Sequence, residues 1–321
     1  MPPTRSEEVR VFLERRGWVE GLGSVEFLAA GEYNENFLVS GAAGQYVLRI
    51  NHGSQLGLDR QIEYEFEVLS AVAPSGVTPK PLFCDPVADG LGQGALLMQY
   101  LPGRPLSYTL DRDRAAGVFA RIHALPVSDG LIVQEDPVQA IAAESLGLIC
   151  RYPEHPLRSH RDRLLRYHER IVELGRDTHG LFDDEQPCMV NTEVNSRNFL
   201  VDEASGRTFL VDWEKAVISC RYQDLGHFLV PTTTLWKSDH VYSDEQKLGF
   251  LRTYRARLGL GLDLSTLVER TRLLERTILL RALSWCFMAY YEYTRGDRGL
   301  KNPETYRKIR SYLADIDGFL D

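Results

Sequence analysis

Apolar positions recur at two different spacings, and the change between them divides the chain into a strand-rich first third and a helical remainder. Thr4-x-x-Glu7 is a capping-box pattern, and Val9, Phe12 and Leu13 follow at helical spacing, which predicts a short amphipathic helix to about Arg16. Three short β-type runs come next: Ser24–Ala29, Asn36–Val39 and Gln45–Ile50, with Gly41-Ala42-Ala43-Gly44 as a turn between the last two. Ile62, Leu69 and Val72 then fall on one helical stripe, broken at Pro74-Ser75-Gly76-Val77-Thr78-Pro79. Gly94–Leu101 reads as a buried strand that ends at Pro102-Gly103-Arg104-Pro105. That Pro/Gly cluster is the expected boundary between residues 1–101, an antiparallel sheet with helices, and a mainly helical part over residues 102–321.

Beyond the boundary, Val118, Phe119, Ile122 and Leu125 are spaced for one helical face, and helices are expected over 135–150 and 154–174. His155, His160 and His168 lack a tight metal-ligand spacing with an acidic partner and read as surface residues. Asp224 is placed to cap a helix, or to support a neighbouring loop. Pro231–Lys237 shows no clear period and reads as connecting structure or a substrate loop. A long helix is expected from Thr266-x-x-Glu269, apolar nearly all round from Ile278 to Met288, with Tyr290, Tyr291 and Tyr293 after it and one more helix over Lys301–Leu320. No internal repeat or low-complexity segment occurs.

Chemistry concentrates in Asn191-Thr192-Glu193-Val194-Asn195-Ser196-Arg197-Asn198-Phe199-Leu200-Val201 and Thr208–Glu214, two runs around the turn-forming stretch Asp202–Arg207. A hairpin folded near Ser205 brings Asn198 and Asp212 side by side at its open end, with Glu193 just upstream. A carboxylate beside an amide oxygen, with a second carboxylate near, can hold Mg²⁺ and a hydroxyl nucleophile. Polar hairpin ends kept for solubility are the competing account. Upstream, the small polar loop Gly31-Glu32-Tyr33-Asn34-Glu35-Asn36 can lay backbone N–H groups over a phosphate, or is an ordinary hairpin loop. Alternation turns Arg49 away from its neighbours Leu48 and Ile50, towards solvent or a cleft. Glu65 lies on the core-facing stripe of its helix, where a buried carboxylate needs a partner, and Arg49 is the candidate unless Glu65 is solvated at the stripe's edge. The backbone from Gln99 to Leu101, at the expected junction, is suited to a flat ligand such as a purine.

Composition narrows the function classes. The chain has 321 residues, 44% hydrophobic and 26% charged, as ordinary folded proteins do. Its net charge of −8 and the lack of a basic run argue against nucleic acid. An acidic surface suits a cationic small-molecule substrate, as it also suits solubility. The five cysteines are widely spaced without a C-x-x-C pair, which indicates neither a disulfide framework nor a zinc site. With no signal-peptide pattern after Met1 and no long apolar run, a cytoplasmic protein without a membrane partner is expected. The sequence leaves the oligomeric state open.

In order and spacing, from about residue 25 to about residue 230, these pieces resemble the aminoglycoside phosphotransferase and choline kinase group of small-molecule kinases. Asn191-Thr192-Glu193 stands where that group has H-x-D, Asn198 matches the closing Asn of its catalytic loop, and Asp212-Trp213-Glu214 resembles its D-[FW]-E. Gly31–Asn34 resembles the phosphate loop, Tyr46–Arg49 the strand with the phosphate-binding cation (Arg for Lys), and Glu63–Leu69 the helix with the ion-pairing Glu. Tyr100-Leu101-Pro102-Gly103-Arg104-Pro105-Leu106 resembles the hinge exit. The resemblance implies an α+β, bilobal protein-kinase-like fold with a β-rich N-lobe and a mainly helical C-lobe. It implies ATP or GTP as co-substrate and Mg²⁺ held by Asn198 and Asp212, with Glu214 as a further ligand. Gly31, Asn34, Arg49, Glu65, Gln99 and Leu101 would serve the nucleotide, and Glu193, Asn198 and Asp212 the transfer of the γ-phosphate to a small-molecule hydroxyl. The departure is Glu193 where the group has Asp. It leaves open a pseudokinase-like nucleotide-binding module without phosphotransfer, or a nucleotidyl transfer on the same fold.

Overall fold

The computed structural model describes residues 4–31, 33–178, 180–296 and 302–320. Of the positions named above, Met1, Glu32 and Lys301 lie outside the described residues. In chain order the elements are α1 (Arg5–Arg16), β1 (Val25–Ala30), β2 (Asn34–Gly41), β3 (Gly44–Asn51), α2 (Gln61–Val72), β4 (Pro81–Asp85), β5 (Gly94–Gln99) and β6 (Arg104–Pro105). They continue as α3 (Arg112–His123), α4 (Pro137–Cys150), α5 (Arg158–Asp177), β7 (Cys188–Val190), β8 (Phe199–Asp202), β9 (Arg207–Leu210) and β10 (Val217–Ser219). Helices close the chain: α6 (Tyr222–Leu229), α7 (Pro231–Lys237), α8 (Asp244–Leu258), α9 (Leu264–Arg295), α10 (Pro303–Ala314) and α11 (Ile316–Leu320). Among the described residues no helix is long and apolar enough to cross a membrane.

Two compact units result. The first comprises the chain up to Leu106 with Leu125–Leu131 and Asn198–Val217. Its five-stranded antiparallel sheet runs β1-β2-β3-β5-β4. Phe37, Leu48, Ile50 and Leu97 from the sheet pack with Val9, Phe12 and Leu13 of α1 in a shared core. The capping box forms as the sequence predicts: Thr4 caps α1 and Glu7 returns the bond. A second sheet, β6-β8-β9, belongs to the same unit, so the Pro102–Pro105 stretch ends in a two-residue strand, with Arg104 opposite Val201 and Pro105 opposite Leu200. Gly103 makes this possible, because a Cβ there would lie 2.9 Å from the Val201 carbonyl carbon. The hairpin register pairs Phe199 with Leu210 and Asp202 with Arg207, which places Val211, not Asp212, opposite Asn198. The turn is one residue tighter than a fold at Ser205, and Asp212 lies past the ladder with φ +66°.

The second unit, formed by Ser107–Ala124, Ile132–Arg197 and Ile218–Asp321, is mainly helical, and among its described residues the strands are β7 and the Ile218–Ser219 end of β10. Its spine is α9, capped by Asp263 rather than by Thr266, with Tyr290, Tyr291 and Tyr293 inside the helix. Several expectations are corrected here. Pro231–Lys237 is a helix whose Thr232, Thr233 and Thr234 are buried. The C-terminal segment is two helices, α10 and α11, broken at Asp315. Helix α8, announced by the Ser243/Gln246 capping box, has no counterpart in the periodicity reading. His155 is buried, not a surface residue: its ring stacks 3.6 Å from that of Phe287, Nε2 faces the Phe287 carbonyl at 2.9 Å, and Nδ1 accepts from the Leu157 N–H.

Candidate active site

In the first unit, β3 and α2 bring Arg49 and Glu65 together because both point away from solvent on facing elements. Arg49 Nη1 lies 2.5 Å from Glu65 Oε1 and 3.0 Å from Asp212 Oδ1, and its Nε donates to Asn36 Oδ1 at 3.0 Å. Glu65 is 1% exposed and Arg49 6%, whereas the Asp212 side chain keeps 31% of its exposure. Burial works against the Arg49 charge, but Glu65, Asp212 and Glu214 more than offset it and hold the guanidinium protonated well above its ordinary range. Asp212 sits in the left-handed region, a conformation Asp tolerates better than most residues.

Glu214 is buried and fixed by amides. Gln55 Nε2 donates to Oε1 at 3.0 Å, Asn34 Nδ2 donates to Oε2, and Gln61 Nε2 holds the Glu214 carbonyl at 2.8 Å. Asn34 is in turn oriented by Asn51, whose Nδ2 donates to its Oδ1 at 2.9 Å. The Asn34 side chain is therefore engaged with Glu214 and Asn51, and the Gly31 N–H closes a turn on the Asn34 carbonyl at 2.8 Å. Asn198 ends a 3₁₀ turn and its carbonyl accepts from the Val211 N–H. At the end of β5, the Gln99 and Tyr100 N–H groups bond to the Lys80 and Gln45 carbonyls, while the Leu101 N–H has no partner among the described residues.

In the second unit, the loop Asn191–Glu193 is suspended from α6. Asp224, fully buried, is not the cap of that helix but lies in its first turn. Its two oxygens accept from the Asn191 and Thr192 N–H groups, each at 2.9 Å. His123 Nε2 faces Asp224 at 3.4 Å and its Nδ1 lies 2.9 Å from the Tyr254 hydroxyl. The neutral Nε2–H tautomer satisfies both contacts, donating to Asp224 and accepting from Tyr254. Burial pushes the His123 pKa down, although Asp224 pulls it back up. Thr192 has φ +67°, a costly conformation for a β-branched residue, of order 1–3 kcal/mol. It is held there by Asp224 on its N–H and by Arg281 Nη2, 3.2 Å from its carbonyl. Asn191 Oδ1 accepts from the Glu193 N–H at 3.1 Å, an Asx turn that fixes the backbone of Glu193.

Asn36, Gln55, Asn51, His123, Tyr254 and Arg281 escape the sequence reading. No local motif marks them, since each acts across a separation that only the fold closes. Asn36 is the exception in kind: Arg49 stands opposite it in the β2–β3 register.

A family model described as "Phosphotransferase enzyme family" matches residues 24–264. No curated protein sequence matches the chain. Solved structures do. Choline kinase LicA from Streptococcus pneumoniae is 15% identical with a TM-score of 0.62, over 98% of this chain and 100% of that one. The GDP complex of wild-type aminoglycoside 2'-phosphotransferase-IIIa is 19% identical with a TM-score of 0.65, over 98% and 100%. An ethanolamine kinase from Plasmodium vivax is 13% identical with a TM-score of 0.64, over 95% and 85%. At these identities the likeness shows the shared fold: an N-terminal antiparallel sheet and a helical C-terminal part, as in protein kinases.

Proposed function

The chain belongs to the phosphotransferase enzyme family, and from that premise we propose that it transfers the γ-phosphoryl group of ATP or GTP to a hydroxyl of a small molecule. The observation that carries the reading is the buried Arg49 guanidinium between Glu65 and Asp212. A permanently charged fork with a buried counter-ion on one side and a half-exposed carboxylate on the other is a preorganised phosphate contact. The GDP complex of the aminoglycoside 2'-phosphotransferase supports a nucleotide as donor. The Leu101 backbone, whose N–H has no partner among the described residues, is the group we assign to the purine edge, with Gln99 shaping the approach.

The donor set Asn198, Asp212 and Glu214 is all oxygen, two carboxylates and an amide, which fits Mg²⁺ rather than a softer metal. When bound, Mg²⁺ would neutralise charge on the nucleotide phosphates. Asn34 and Gln55 would act through Glu214, holding its carboxylate in one orientation, as supporting hydrogen bonds do for metal ligands generally.

Glu193 is the base in this reading. It accepts the proton of the acceptor hydroxyl as that oxygen bonds to the γ-phosphorus, while the bond to the β–γ bridging oxygen breaks and the nucleoside diphosphate leaves with the electron pair. Relative to Asp, Glu193 extends its carboxylate by one methylene, about 1.5 Å. The Asx turn and the strained Thr192 fix where that longer side chain starts.

The test is phosphoryl transfer from Mg-ATP and Mg-GTP to a panel of hydroxyl compounds by wild type, Glu193→Asp and Glu193→Gln. Glu193→Gln is expected to lose about 10²–10⁴-fold in turnover. Equal turnover by Glu193→Gln would remove Glu193 from the chemistry.

A further inference from the structure

The Asn191–Glu193 loop of the second unit is held by a cation as well as by Asp224, in a chain of net charge −8. Gly226 sets the geometry. A Cβ on it would lie 2.9 Å from the Glu275 nitrogen and 3.0 Å from the Leu274 carbonyl carbon, so α6 and α9 meet at backbone contact. Two turns further along α9, on the same stripe, Arg281 reaches both the Thr192 carbonyl at 3.2 Å and His227 Nδ1 at 3.4 Å. Arg281 is half-buried, and no carboxylate among the described residues lies within ion-pair distance of it.

The same face of α9 continues to Trp285, whose ring lies 5.9 Å from that of Trp236, and Trp236 packs edge-on against Tyr312 at 5.7 Å. Lys237, next to Trp236 at the end of α7, is also half-buried and without a carboxylate partner among the described residues. Burial pushes its pKa down, and Arg197 and Lys308 push it further, with Glu304 opposing them. Arg197 lies four residues after Glu193 on the same loop. Lys308 is anchored through Nζ to the Leu235 carbonyl at 2.7 Å. An aromatic wall thus carries Arg281 and Lys237, neither within ion-pair distance of a carboxylate among the described residues, and the exposed Arg197 lies on the loop of the residue assigned as base.

We infer that the acceptor is an anionic hydroxy compound, bearing a carboxylate or a phosphate ester, and that Arg281, Lys237 and Arg197 receive its charge while its hydroxyl meets Glu193. The inference rests on the phosphotransferase reading. A half-buried cation without a partner is costly until an anion arrives, and a further cation placed among such groups is repelled. An aromatic wall alone would suit an ammonium group; the interleaved lysine and arginines oppose one.

The full-length protein is titrated first with Mg-ADP, which tests the nucleotide reading separately. Glucuronate, glucose 6-phosphate, glucose and glucosamine, one skeleton in four charge states, are then titrated into Mg-ADP-loaded protein by calorimetry. Concentrations up to about 10 mM read affinities to the millimolar range. If Mg-ADP does not bind, the nucleotide reading fails and the four sugars are titrated into the nucleotide-free protein. Binding of an anionic sugar in preference to glucose and glucosamine is the expected result, and whether glucuronate or glucose 6-phosphate is preferred identifies the anion. Lys237→Gln and Arg197→Gln should each weaken that binding by about tenfold, the loss of one charge-assisted hydrogen bond, without altering Mg-ADP affinity. Preference for glucosamine, no binding of either anionic sugar, or anion binding unchanged in both variants would overturn the inference and leave the phosphotransferase reading standing.

Discussion

Arg49→Gln is expected to destabilise the first unit by about 3–5 kcal/mol, and Glu65→Gln by distinctly less. At an effective dielectric of about 20, two unit charges about 4 Å apart attract by about 4 kcal/mol, while desolvation costs several kcal/mol per ion, so the intact pair comes near to breaking even. Removing one member is different, because the other stays buried. Without Arg49, Glu65 at 1% exposure faces no guanidinium, and Asp212 loses the same partner. Without Glu65, Arg49 keeps Asp212 at 3.0 Å and Asn36 at 3.0 Å, so the loss falls to about 1–2 kcal/mol. The double variant buries no charge at this place and should be more stable than Arg49→Gln alone. That gives a coupling energy of about 2–3 kcal/mol in the double-mutant cycle. Denaturant unfolding measures it, followed by Trp18 and Trp213, which belong to this unit, with Trp236 and Trp285 replaced by Phe in every variant. Equal slopes across the four proteins are needed for the midpoints to be compared. Additivity within about 0.5 kcal/mol, or a larger loss for Glu65→Gln than for Arg49→Gln, would refute the reasoning.

Three further outcomes follow from the geometry. Asp224→Asn removes one of two oxygens that hold the Asn191 and Thr192 N–H groups and frees the strained Thr192. Steady-state kinetics should show turnover falling about a hundredfold with little change in the KM for nucleotide, and unchanged turnover would mean that the loop holds itself. Asn34→Ala and Gln55→Ala each release one side of Glu214, and each should weaken Mg²⁺ about tenfold in a metal titration of nucleotide binding; unaltered affinity would remove Glu214 from the metal site. His123 is buried against Asp224 and Tyr254, with Arg221 and Glu185 also acting on it, and its folded pKa lies below the ordinary value. The unfolded chain therefore binds the proton more readily, so the stability from neutral His123 is present above about pH 6.5 and is lost as pH falls through the folded pKa. The unfolding midpoint should drop between about pH 7 and about pH 5, less steeply in His123→Gln, with buried His155 supplying a residual slope of the same sign; equal slopes would contradict the assignment.

Periodicity and capping were legible wherever one element decided the outcome. Thr4 and Glu7 announce α1, and the Ile62–Glu65–Leu69 stripe announces a buried carboxylate before any partner is visible. The hairpin was legible as a hairpin, but its register was not, because the sequence does not show how many of the residues Asp202–Arg207 extend the ladder. The helices that periodicity does not reveal have local reasons. Pro231–Lys237 is short, and its buried Thr232–Thr234 give it no apolar stripe. Helix α8 has a weak stripe and is signalled chiefly by its cap. His155 looks like a surface residue among charged neighbours and becomes a core residue only when Phe287 comes to lie on its ring. At the candidate site, the residues to which the proposed function gives the chemistry, Arg49, Glu193, Asp212 and Glu214, could be named from spacing and resemblance. The residues that orient them could not, because Gln55 is 159 positions from Glu214 and Arg281 is 89 from Thr192.

Isothermal titration of Mg-ATP and Mg-GTP into wild type and Asp212→Ala tests the central claim most directly, since Asp212 is half-exposed and its removal leaves the Arg49–Glu65 pair in place. Wild type should bind at least one of the two with micromolar to submillimolar affinity, and Asp212→Ala should weaken that binding by about a hundredfold or more, about 2.7 kcal/mol. Binding of equal strength in the two proteins, or no binding of either nucleotide by wild type, would contradict the account.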